Sequence, residues 1–248
     1  MKMVIKNFSS IQHHRDQKRC EFDLLSKKRY NESCWARSKT DLAELYNYKC
    51  AYCERDLRKY GNITIDHYRP KSKSKYYWLA HEWTNFLPCC TFCQKKDDNF
   101  ETAKAPQYNP PLLADGSLNY DFCKADSSYL LAEEPLLLHP EIDNPDDHFV
   151  FDENSGELLL KYHSIKAETT IRLLNLNSSS LCFERKKLVD DFFEELDIWL
   201  SELQMDKSDL NIALKILKIH QEKAKQKSDN AEFSFVWKYL QQSLSYKP

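Results

Sequence analysis

CAYC at 50–53, ITIDHYRPK at 63–71 and EWTNFLPCCTFCQKK at 82–96 are the stretches whose reading decides this fold. Cys50 and Cys53 form one Cys-x-x-Cys pair, and Cys90 and Cys93 form a second. Two such pairs can supply the four soft thiolate ligands of a tetrahedral structural Zn²⁺. Free cysteines also fill apolar cores, but two pairs flanking a polar segment suit ligation better. Bound zinc would then fold a module too small to hold itself together. Between the pairs, the β-branched, alternating Ile63-Thr64-Ile65 predicts a strand ending at Asp66, with its mate near Tyr68 or earlier. Upstream, a helix is expected from Ser38 to Tyr48, with Asp41 as N-cap, Glu44 as its capping-box partner and Leu42, Leu45 and Tyr46 as its stripe.

Outside these stretches the chain reads as a soluble protein of one large domain or two modest ones, at 248 residues and 42% hydrophobic content. No run of eighteen apolar residues occurs, and the first twenty residues turn polar too soon for a secretory signal, so no membrane association is expected. Nine cysteines, an odd number, fit a reducing cytoplasm better than a disulfide framework. Three glycines leave no glycine-rich phosphate loop, so the chain is not expected to bind ATP itself.

Charge is segregated along the sequence. Residues 1–104 carry 21 Lys/Arg against 13 Asp/Glu, and residues 105–160 carry one lysine against 12 acids. The second stretch holds six prolines, Pro106 to Pro145, and reads as an acidic, extended connector. Residues 161–248 show helical periodicity, with Val189, Phe192, Phe193, Leu196, Trp199, Leu200 and Leu203 on one face. The expected fold class is therefore α+β, predominantly α. It comprises a zinc-stapled module with an N-terminal helical leader (1–104), the connector (105–160) and a C-terminal helical bundle (161–248).

The order Cys-x-x-Cys, strand ending in Asp66-His67, Asn85-Phe-Leu-Pro88, Cys-x-x-Cys resembles the HNH, or ββα-metal, endonucleases over about Lys49 to Phe100. The resemblance implies His67 as general base toward the attacking water, for which an ordinary imidazole suits neutral pH. It implies Asp66 as ligand of a catalytic Mg²⁺ or Mn²⁺, and Asn85 as the residue that orients the loop carrying the histidine. The second ligand of that ion would be Gln94, where such nucleases usually carry Asn or His. The lysine common after that position also comes one place early, at Lys96. A one-residue deletion explains both, with Asp97 or Asp98 as substitute ligand. Arg69, Lys71, Lys73 and Lys75 form a basic run suited to nucleic-acid phosphates, beside Tyr76, Tyr77 and Trp78, which read as core.

Further motifs narrow the resemblance. Cys50–Glu54, Asp66–Lys71, Glu82–Asn85, Leu138–Pro145, Asp147–Phe149, Thr170–Asn177 and Leu181–Arg185 together resemble the PtuB family, nuclease subunits of Septu-type anti-phage systems, some attached to retrons. That implies DNA or RNA as substrate and a separate PtuA-like ATPase as gating partner. In retron-attached members it adds a reverse transcriptase with its RNA–DNA product. On this reading the connector and C-terminal helices dock the ATPase while the basic N-terminal part meets nucleic acid. The rival reading is a zinc-stapled nucleic-acid-binding or ATPase-scaffolding subunit whose metal site has decayed at Gln94.

Overall fold

The computed structural model describes residues 21, 23–36, 38–59, 63–201 and 207–245. Its first strand, Thr64–His67 (β1), pairs antiparallel with Phe86–Cys89 (β2), setting Asp66 opposite Leu87 and His67 opposite Phe86. The mate of β1 thus lies downstream of Tyr68, not at or before it. All four residues of β2 are buried, so the strand lacks the alternation that marks a half-buried one, and Pro88 hides it further. In a two-stranded sheet every strand is an edge, which is where proline is tolerated.

The upstream helix forms over Lys39–Leu45 (α1). Its N-cap is Ser38, not Asp41, and no side chain caps it, so the expected capping box does not form. Asp41 sits instead in the first turn, where a carboxylate suits the positive end of the helix dipole. Leu42 and Tyr46 are buried, whereas Leu45 is not.

No α-helix directly follows β2 in sequence. The segment after it is a 3₁₀ turn, Cys93–Lys96, and the helix packed against that turn is Ile165–Leu174 (α2), from far along the chain. Ser164 starts α2, its Oγ accepting from the amide of Ala167 at 3.2 Å, and Asn175 stops it in the left-handed region at φ 50°. Thr170 Oγ1 accepts from Leu138 N at 2.9 Å, and Lys166 pairs with Asp143 at 2.7 Å.

The chain divides into two compact units. One runs to His148 and adds Tyr162–Asn175; it holds both cysteine pairs, the β1–β2 sheet and a core of Leu24, Tyr76, Trp78, Leu79, Leu118 and Leu130. Residues 105–148 are therefore built into the unit that carries the cysteines. They contribute two single-turn helices, Tyr120–Cys123 and Ser128–Leu131, and no long one. Among the described residues that unit carries 18 Lys/Arg and 22 Asp/Glu, so the basic excess counted along the first hundred residues is not a property of the folded unit.

The other unit comprises Phe149–Lys161 and the residues from Leu176 on. It joins a hairpin of Phe149–Phe151 (β3) and Leu158–Leu160 (β4) with three helices, Ser179–Ser201 (α3), Lys207–Asn230 (α4) and Ser234–Ser243 (α5), which pack on one another. Val189, Phe192 and Leu196 form the buried stripe of α3, but Trp199 leaves it and is 54% exposed. His13, His14, Cys20, Gly61, Leu203 and the side chain of Cys34 lie outside the described residues. Among the described residues no helix is long and apolar enough to cross a membrane.

Candidate active site

The two cysteine pairs converge. The sulfurs of Cys50, Cys53, Cys90 and Cys93 all lie within 4.8 Å of one another and all four residues are buried. Cys53 Sγ is 3.7 Å from Cys90 Sγ. A tetrahedral ion with bonds of about 2.3 Å to sulfur needs its ligands roughly 3.8 Å apart, so the cluster fits a structural zinc. The backbone prepares it. Cys50 N–H donates to Arg55 O at 2.9 Å and Glu54 N–H returns to Cys50 O at 3.0 Å, closing the first turn through a left-handed Glu54 at φ 62°. Gln94 N–H donates to Cys90 O at 3.0 Å in the second, and Ala51 N–H to Pro88 O at 2.8 Å ties the first turn to β2. Burial opposes ionisation of Cys50, but thiol donors from Cys53, Cys89, Cys90 and Cys93 outweigh it and pull its thiol well below the ordinary range. The same contacts push the Cys53 and Cys93 thiols up, so the four sulfurs share protons that a bound metal ion would displace.

Asp66 and His67 stand at the end of β1, within the reach of both turns. Tyr52, inside the first Cys-x-x-Cys, donates its hydroxyl to Asp66 Oδ2 at 2.6 Å. Lys96, closing the turn after the second pair, brings its ammonium within 3.3 Å of the same oxygen. Burial pushes the Asp66 carboxyl up, against the opposing pull of Lys96 and Tyr52. Asp66 Oδ1 has no hydrogen bond among the described residues. One carboxylate oxygen left for a metal suits Mg²⁺, which typically takes one or two carboxylates and completes its shell with water and phosphate.

The His67 ring packs edge-on against Trp35 and Phe86, with centroids 4.9 and 5.0 Å away. Its Nε2 lies 3.1 Å from the carbonyl oxygen of Ala80. A carbonyl only accepts, so in the neutral ring Nε2 carries the proton and Nδ1 keeps the lone pair. Burial, reinforced by Lys71, Lys96 and His81, drives the imidazolium form down to about 3, while the Ala80 carbonyl opposes this. The ring is therefore held neutral, with Nδ1 as its proton acceptor.

Asn85 braces this loop. Its Oδ1 accepts from Arg69 N at 2.8 Å, and its Nδ2 donates to Arg69 O at 3.0 Å, replacing a strand neighbour just past the end of β1. The same amide donates to Leu79 O at 3.4 Å, joining the loop to the segment that presents the Ala80 carbonyl.

Comparison with known proteins sets this geometry in a lineage. No family model matches the chain. Over 161 residues it is 30% identical to Septu protein PtuB of Bacillus mycoides (strain KBAB4), and over 148 residues 26% identical to Septu protein PtuB of Bacillus thuringiensis. Over 159 residues it is 33% identical to Septu protein PtuA of Bacillus mycoides (strain KBAB4). The chain is related to Septu proteins. These alignments take in 58 to 60% of this chain, but only 50% and 44% of the two PtuB proteins and 20% of PtuA.

The remaining site residues fall in different places. Gln94 is exposed, and no hydrogen bond links its amide to Asp66 among the described residues. Asp97 and Asp98 are exposed as well. Arg69 is not at the surface: its Nε lies 2.6 Å from Glu133 Oε1, with both side chains buried, so it is unavailable to a phosphate. Lys73 is exposed, while Lys71 is half-buried over the rings of Tyr30 and Trp35. Lys75 is half-buried and donates to the Asp98 carbonyl. Tyr76, Tyr77 and Trp78 are buried. Tyr52 escapes the sequence reading, and Lys96 enters it only as the displaced common lysine, with no contact to Asp66 foreseen. Their positions inside and just after the cysteine pairs were the available signal.

Proposed function

We propose that the chain is a nuclease subunit of a Septu-type anti-phage system, acting in the cytoplasm and hydrolysing phosphodiester bonds of DNA or RNA through an HNH-type site at Asp66 and His67. The observation that carries this reading is the pinned tautomer of His67: the Ala80 carbonyl engages Nε2, leaving Nδ1, on the residue that follows the buried Asp66, as the atom able to take a proton from water. Asp66 and Gln94 are the residues to which the ion was assigned, and the geometry favours Asp66 alone. A bound Mg²⁺ or Mn²⁺ would neutralise charge on the scissile phosphate. Asn85 acts by positioning, since its amide touches only backbone. Lys73 and Lys71 are the cations best placed for phosphate contact. The relatives' names, Septu protein PtuA and Septu protein PtuB, support a PtuA-like partner, and the family resemblance makes that partner an ATPase.

A second reading, a nucleic-acid-binding subunit without hydrolysis, draws on the exposed Gln94 and on the burial that makes His67 a weak base. Cleavage of labelled DNA and RNA in Mg²⁺ and in Mn²⁺, with and without the PtuA-like ATPase, separates the two. The nuclease reading expects cleavage by the wild-type chain and a loss of at least about 100-fold in His67→Ala. Equal binding with intact nucleic acid for both proteins establishes the second reading.

A further inference from the structure

The Lys96 ammonium is buried in a nest of oxygen. Besides Asp66 Oδ2 at 3.3 Å, it meets the backbone carbonyls of His67 at 3.2 Å, Tyr68 at 3.3 Å and Asp97 at 3.4 Å. Its side chain is 0% exposed and that of Asp66 is 7% exposed. Carboxylate and carbonyl oxygens are the donors hard divalent cations choose. The three carbonyls satisfy the ammonium's donors away from water, and together with Asp66 Oδ2 they form an oxygen-lined cation site that the ammonium fills. The backbone accommodates the arrangement at Asp97, whose φ of 49° and ψ of −130° depart from ordinary L-residue conformations.

We propose that Lys96 is a resident cation competing with the divalent ion for Asp66, so that the protein without nucleic acid holds that ion weakly. The inference rests on Asp66 being the ligand named under the proposed function. The ammonium occupies one carboxylate oxygen and repels a second cation at the other; a phosphate supplies the negative charge that offsets this repulsion. Lys96 is accordingly a positioning residue, acting on the ion through Asp66.

The test is Mn²⁺ binding to the zinc-loaded full chain without nucleic acid, read by the electron paramagnetic resonance of free Mn²⁺. Lys96→Met should bind Mn²⁺ at least about tenfold more tightly than wild type, because one positive charge is removed and four oxygens are released. Lys96→Arg, which keeps the charge, should stay near wild type, and Asp66→Asn in the Lys96→Met background should abolish the gain. Lys96→Gln, which still donates to the carbonyls, serves the same purpose should Lys96→Met fail to fold. Unchanged or weaker binding in a folded, zinc-containing Lys96→Met or Lys96→Gln overturns the inference. So does sub-micromolar Mn²⁺ binding by the wild type, whatever the variants do. If cleavage is found but these affinities do not move, only this inference falls. If none of the proteins binds Mn²⁺ at any concentration, Asp66 is no ligand and the metal reading of the site falls with it.

Discussion

Arg69 and Glu133 form an ion pair whose side chains are 1% and 0% exposed, and Glu133 also accepts from the Tyr76 hydroxyl at 2.8 Å and from Gln107 N at 3.0 Å. Removing the guanidinium strands a buried carboxylate, so Arg69→Ala should destabilise the fold by about 3–5 kcal/mol, read from urea denaturation. Lys73→Ala should leave the denaturation midpoint unchanged and reduce the salt dependence of nucleic-acid binding by about one unit of slope. A stable Arg69→Ala with weakened, less salt-sensitive binding would return Arg69 to the phosphate-contacting set. The difference between these cations is invisible in the sequence. Both lie in the same basic run, and Glu133, which buries Arg69, is 64 positions away. Asp66 and His67 were legible because the two residues adjoin at the end of a strand between paired cysteines. Tyr52 was not, since a tyrosine within a Cys-x-x-Cys pair carries no mark of what its hydroxyl meets.

At the level of elements, the cysteine turns and β1 could be read from spacing and alternation, whereas β2 and the helix behind the second turn could not. Phe86-Leu-Pro-Cys89 is buried at every position and so has no period to detect. After Cys93, Lys95 and Lys96 close a 3₁₀ turn, and α2 supplies the packing from far along the chain. α2 ends on Asn175 with φ 50° and ψ 46°, a conformation open to Asn and Gly and strained for β-branched residues. Asn175→Gly should therefore keep the melting temperature within a few degrees, and Asn175→Val should cost about 1–3 kcal/mol. A thermal melt of the two variants checks this. Equal stability would mean that the end of α2 adapts and that the left-handed cap is dispensable.

For the molecule as a whole, charge counted along the sequence misleads about charge in the fold. The described part of the basic first stretch and the acidic residues 105–148 belong to one compact unit, whose described residues carry 18 Lys/Arg and 22 Asp/Glu. On the proposed nuclease reading, nucleic acid would then be drawn by local surface lysines rather than by a uniformly basic domain. What organises that unit is the four-cysteine cluster, because Tyr52 and Lys96, the two side chains that hold Asp66, spring from its two turns. Zinc removal should therefore act on Asp66, and through it on the proposed catalytic site, as well as on stability. The direct measurement follows zinc content, folded signal by circular dichroism and nucleic-acid cleavage in one sample as a zinc-selective chelator is added in excess Mg²⁺. The expected result is one zinc per chain at the start, with all three signals lost together as it leaves. A zinc-free chain that stays folded and cleaves at the original rate would contradict the account.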